Sequence, residues 1–142
     1  MATTRTATTT WHGSLTEGAG RVELDSSGLG GFDVTWASRA DDPDGRTSPE
    51  ELIGAAHSSC FSMALSSALA KAESAPETLE TRAEVTFQPG EGITGIHLTV
   101  RGTVPGIDED GFREAAEAAK DGCPVSGALT GVPEITVDAQ LV

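Results

Sequence analysis

Basic residues are scarce in this chain: nine lysines and arginines stand against 22 aspartates and glutamates, for a formal charge of -13 and a pI near 4.4. Phosphate-rich partners require the opposite sign, so this shortage argues against a nucleic-acid surface or an anionic membrane, and the acidity serves mainly solubility. Cysteine is scarcer still, with two residues and no Cys-x-x-Cys pair. His57, Cys60 and Cys123 supply three candidate ligands, one short of a closed structural metal site. No glycine-rich nucleotide fingerprint is present, so direct use of NAD(P)H is not expected, and no cofactor is implied. The stretch MATTRTATTTWHG is polar and has no apolar segment of signal-peptide length. The expectation is one cytoplasmic domain spanning residues 1–142.

Long, strongly hydrophobic runs are also missing. The nearest approach is the charge-free segment from Leu52 to Ala70, about as long as a bilayer-spanning helix. His57, Ser58, Ser59, Ser62, Ser66 and Ser67 interrupt it, and small alanines are the commonest of its other members rather than Leu, Ile or Val. A soluble helix buried on nearly every side fits better, with small residues allowing another helix to approach. Its start is well marked. Ser48 is placed to cap, Pro49 takes the first helical position, and Glu50 and Glu51 favour the positive helix end. Cys60 then lies in the interior of the molecule.

Around that helix the pattern is α+β. Alternation marks strands over Thr8–Leu15, Arg21–Ser26 and Phe32–Arg39, which read as an antiparallel meander, and ADDPDGRTS reads as an exposed loop. Beyond the long helix, which should break at Pro76, two further strands are expected over Leu79–Gln88 and Gly95–Val104. An amphipathic helix follows from Asp108 to Lys120 with Gly122 as its C-cap. A short helix then has Cys123 at its N-cap and Pro124 at its first position, and EITVDAQLV closes the order as a strand. A helix buried all round needs more cover than one small domain provides, so a homodimer with two long helices packed together is expected.

The two cysteines admit several readings. Each can be a small buried hydrophobe; a structural disulfide suits a reducing compartment poorly. As a redox pair, one thiolate attacks an oxidant and the other resolves the product. Cys123 at a helix start sits where the dipole and free amides lower a thiol pKa, whereas Cys60, about three turns into its helix, gains nothing from that end. Burial would raise the Cys60 pKa, so reactivity there requires a nearby cation. Arg21 and Arg39 at strand ends, Arg46 in the loop and Arg113 on the second helix are candidates. Glu50 is ten residues before Cys60, roughly 15 Å along a straight helix. It can orient an arginine that reaches a thiol of a partner chain, or it can be a surface carboxylate at a helix start. His57, three residues before Cys60, is read as a buried neutral histidine bonded to a backbone carbonyl, with a general-base role as the alternative.

SPEELIGAAHSSCFSMALS (48–66) together with AKDGCPVSGAL (119–129) resembles the OsmC/Ohr family of thiol-dependent peroxidases, in particular its OsmC branch. WHGSL, FQPG and VPGID extend the resemblance over almost the whole chain. It implies an intertwined homodimer in which two antiparallel sheets wrap two central long helices, with two active sites at the subunit interface. By the same resemblance Cys60 is the peroxidatic thiol, Cys123 the resolving thiol and Glu50 the site glutamate. Two positions match the site arginine: Arg39 in TWASR, as in the OsmC branch, and Arg21 in GRVELDSSG, as in the hydroperoxide-resistance branch. The flanking motifs favour Arg39. The implied reaction is reduction of organic hydroperoxides, alkyl or fatty-acid, with a dithiol or lipoylated protein as reductant. Phe61, Met63, Trp36 and Phe87 are candidates for the apolar pocket wall. The alternative is a non-catalytic dimeric module using the thiols structurally or as a redox sensor.

Overall fold

Alternation near the start of the chain yields a three-stranded antiparallel sheet of β1 (Thr8–His12), β2 (Ala19–Glu23) and β3 (Gly31–Val34), in that order. The computed structural model describes residues 1–142, and these fall into two units, 1–52 and 53–142. In the first unit Trp11 pairs with Gly20, and Gly20 with Val34. A Cβ on Gly20 would lie 2.7 Å from the Trp11 ring and 3.1 Å from Val34, so only glycine lets the indole lie across the strand.

The third strand is shorter than the alternation suggests. Residues Trp36–Ala40 form a short helix, α1, rather than continuing the strand to Arg39. The cause is local: Ser38 N–H donates to Thr35 Oγ1 at 3.0 Å and Thr35 N–H to Ser38 Oγ at 2.9 Å, a reciprocal capping box. The Ser38 hydroxyl also donates to the Thr47 carbonyl at 2.9 Å, anchoring the far end of the charged loop. At the start of α2 (Pro49–Lys71) Ser48 Oγ accepts the Glu51 amide at 3.1 Å, as expected. The Glu51 carboxylate takes the Thr47 hydroxyl at 2.6 Å, so only half of the anticipated box forms there.

The remaining residues of α2 belong to the second unit. Gly54, His57, Phe61, Leu65 and Leu69 form a buried stripe, while Ala55, Ser59, Met63, Ser67 and Ala70 on the opposite side are exposed. The helix is therefore buried on one face in this chain, not on every face. It is long and apolar enough to cross a membrane by length and composition, yet Phe61, Leu65 and Leu69 belong to the protein core. It ends before Pro76: Glu73 adopts φ 62° and the Ser74 amide donates back to the Leu69 carbonyl at 2.8 Å.

β4 (Thr78–Gln88) and β5 (Gly92–Thr103) pair antiparallel, and β6 (Glu134–Leu141) joins β5 in parallel. This sheet is thus mixed, a departure from the expected antiparallel pair of sheets. The chain leaves β5 through α3 (Glu109–Gly122) and α4 (Pro124–Ala128) before returning, and such a crossover permits parallel pairing. Asp108 caps α3 through the Gly111 amide at 2.8 Å, and the helix runs through Gly122 to a C-cap at Cys123. Ile96, Leu98 and Val100 of β5 bury against Phe61, Leu65 and Leu69 of α2 and Phe112, Ala116 and Ala119 of α3 in one core that also contains Cys123.

Candidate active site

Within the first unit, α1 and the first turn of α2 join two of the candidate residues. Arg39 donates through Nε to Glu50 Oε1 and Oε2 at 3.0 and 3.2 Å, and through Nη2 to Oε1 at 2.8 Å. Glu50 is only 6% exposed, so the reading of it as a surface carboxylate does not hold. Two parallel N–H donors on one carboxylate fix the plane of the guanidinium as well as its position. Arg21 is elsewhere: it is half exposed and pairs with Glu23 at 2.9 Å and Asp33 at 3.1 Å across β2 and β3. Those carboxylates raise its pKa, Asp33 first and then Glu23.

Arg39 also lines an apolar groove of about 360 Å3 with Trp11, Leu15, Val22, Val34, Trp36 and Leu52. Of the four aromatic and methionine residues expected to form a pocket wall, Trp36 does so here. Phe61 is fully buried in the core, Met63 is 72% exposed, and Phe87 is half-buried on β4.

In the second unit Cys60 and Cys123 are free thiols, each near enough to influence the other's titration. Cys60 is half-buried and Cys123 is 1% exposed. Their environments push them apart. Burial raises the Cys60 thiol, the Val125 amide opposes that rise, and the adjacent Cys123 sulfur adds to it. Burial alone would raise Cys123 too, but the Ser126 amide, the Cys60 S–H, the Val125 amide and the Ser126 hydroxyl together bring it below its ordinary value. Pro124, Val125 and Ser126 are the first three residues of α4, so the amides facing the sulfur are those that an N-cap side chain addresses. Cys123 makes no short cap bond of the kind a serine would make, because a sulfur acceptor sits farther from the amides. The surroundings thus favour the thiol form of Cys60 and the thiolate form of Cys123. Cys60 needs a positive group before it can ionise, as its sequence setting indicates.

His57 lies one turn before Cys60 and is fully buried, but its partner is not a backbone carbonyl. Its Nε2 is 2.7 Å from Ser126 Oγ, and its Nδ1 has no partner. Burial lowers its pKa, which keeps the ring neutral. Ser126 went unrecognised in the sequence. The signal was available in Cys-Pro-x-Ser: the third helical residue after an N-cap is the position from which a side chain reaches back to that cap.

The family model for OsmC-like protein matches residues 41–138. The chain belongs to the OsmC family. This OsmC-family protein is 42% identical over 134 residues to the peroxiredoxin OsmC of Escherichia coli (strain K12), covering 92% of each chain. It is 31% identical over 97 residues to the organic hydroperoxide resistance protein of Xanthomonas axonopodis pv. citri (strain 306), covering 64% of this chain and 65% of that one. Among solved structures, the crystal structure of an OsmC-like protein from Mycoplasma pneumoniae superposes with a TM-score of 0.73 at 17% identity, covering 100% of this chain and 99% of that one. That likeness speaks to the OsmC fold.

Proposed function

We propose that this protein is a thiol-dependent peroxidase that reduces organic hydroperoxides to alcohols. The observation that carries the reading is the pair of free thiols, Cys60 and Cys123, brought together from two distant segments so that each influences the other. It is supported by the relatives named peroxiredoxin and organic hydroperoxide resistance protein.

The Cys60 thiolate attacks the distal oxygen of ROOH, forming the S–O bond as the O–O bond breaks. The alkoxide leaves and takes a proton, giving ROH and Cys60 sulfenic acid. Cys123 thiolate then attacks the Cys60 sulfur. The S–S bond forms, the S–O bond breaks, and the departing hydroxide takes a proton to leave as water. An external dithiol, free or on a lipoylated protein, reduces the disulfide and supplies the two electrons for the next cycle.

In this scheme Arg39, held by Glu50, stabilises the Cys60 thiolate and the departing oxygen. The working form in this scheme is a homodimer. The exposed stripe of alanine and serine on α2 favours such a dimer, since small side chains permit close helix approach. The apolar groove beside Arg39 suits an alkyl tail better than bare hydrogen peroxide. The reducing cytoplasm is where an enzyme recycled by dithiols is expected to work.

Incubation with cumene hydroperoxide and excess dithiothreitol tests the reading. Many equivalents of peroxide should be consumed per chain; consumption that stops at one equivalent would mark a sensor. Cys60→Ser should abolish turnover, and Cys123→Ser should leave a trappable sulfenic acid.

A further inference from the structure

The buried serine and histidine beside the thiols have no part in that scheme, yet their geometry is specific. His57 Nε2 and Ser126 Oγ are 2.7 Å apart and join α2 to α4 across 69 residues of sequence. His57 is fully buried and Ser126 is 8% exposed, so water does not compete for the bond. One proton on the serine oxygen must choose a direction. If it points at Nε2, the ring proton sits on Nδ1, and a buried N–H donor is left with no acceptor. If Nε2 carries the ring proton, only an acceptor lone pair on Nδ1 is left unpaired. Orphaned buried donors are the rarer of the two in proteins. The second arrangement is therefore favoured: Nε2–H donates to Ser126 Oγ, and the serine proton is free to turn toward its N-cap residue.

We propose that His57 is a positioning residue for the resolving thiol: by donating to Ser126 Oγ it aims the serine hydroxyl at the Cys123 sulfur. The inference rests on the thiol chemistry above but is read on the resting protein. An aimed O–H favours the ionised form of Cys123, the form that attacks a sulfenic acid. The other groups acting on that sulfur are the Cys60 S–H from α2 and the Val125 and Ser126 amides of α4.

The test is the pH dependence of iodoacetamide alkylation at Cys123, resolved by peptide mass spectrometry in the full-length reduced chain. His57→Phe and Ser126→Ala should each move the alkylation midpoint upward by about one unit, the equivalent of one hydrogen bond to a charged acceptor. The double variant should move it no further than either single change. His57→Gln, whose terminal amide can donate from near the Nε2 position, should restore the wild-type midpoint. His57→Asn, too short to reach the serine, should not, and it replaces His57→Phe if that variant fails to fold. A midpoint unchanged in His57→Phe or His57→Asn, or shifts that add in the double variant, would overturn the proposal. Shifted midpoints in a protein that does not turn over hydroperoxide would keep the His57 assignment and sink the peroxidase reading instead.

Discussion

Arg39 holds Glu50 with two guanidinium nitrogens, the shorter contact being 2.8 Å, and the carboxylate it holds is only 6% exposed. Breaking a buried pair leaves an uncompensated charge, whereas exposed pairs contribute little. With Arg39 about a third exposed and Glu50 almost enclosed, the cost falls between those limits and is asymmetric. Arg39→Ala should destabilise the protein by about 2 kcal/mol, more than Glu50→Gln, as read by urea unfolding. Peroxide turnover should fall at least tenfold in either variant.

Arg21, paired on the exposed face of its sheet with Glu23 and Asp33, provides the contrast. Arg21→Ala should leave both the urea midpoint and the peroxide rate close to wild type. A loss of rate matching that of Arg39→Ala would reassign the cation of the site.

The two thiols should report on each other. Cys60 lowers the pKa of Cys123, while the Cys123 sulfur raises that of Cys60. Replacing Cys60 with alanine should therefore move the Cys123 alkylation midpoint up, and replacing Cys123 with alanine should move that of Cys60 down. Opposite movements on the same pH scale are the signature; a common direction would contradict this mutual influence.

His57 makes stability depend on pH with a defined sign. Its folded pKa lies below its unfolded value because burial opposes the charge. Below about pH 6.5 the unfolded chain binds a proton that the folded chain refuses, so stability is lost as pH falls through that window. Relative to His57→Gln, the wild type should lose up to about 1 kcal/mol per pH unit there. The difference between the two proteins is the quantity to measure, since the acidic surface titrates equally in both.

Gly102 offers a packing test away from the thiols. A Cβ at that position of β5 would lie 2.7 Å from Phe112 Cζ and 3.1 Å from Leu79 Cδ2. Phe112 is fully buried in the core. Gly102→Ala should cost about 1–3 kcal/mol in urea unfolding, the usual range for overpacking a core.

Features governed by neighbouring residues were legible in the sequence. Ser48 and Pro49 announced α2, Asp108 announced α3, and Cys123-Pro124 announced α4 with its thiol at the cap. Strand alternation located β4, β5 and β6. Where a local signal competed with a longer pattern, the pattern misled: Phe32–Arg39 alternates like a strand, but the Thr35–Ser38 box turns its second half into α1 and carries Arg39 to Glu50. Contacts between distant segments left weaker traces. Nothing near His57 names Ser126 as its partner, and nothing in EITVDAQLV states whether it pairs parallel or antiparallel. The charge-free surface of α2 also hid which of its faces is the core face, because alanine and serine occupy both inside and outside positions.

In the proposed cycle the disulfide forms between two thiols of unequal acidity, which has an electrochemical consequence. Between the titration of Cys123 and that of Cys60, reduction takes up two electrons and one proton, so the midpoint potential should fall by about 30 mV per pH unit. Below the Cys123 titration, where both sulfurs are protonated, the slope should steepen to about 59 mV. By lowering one thiol while burial raises the other, the amides around Cys123 would widen the pH range over which the couple's driving force responds only weakly to acidity.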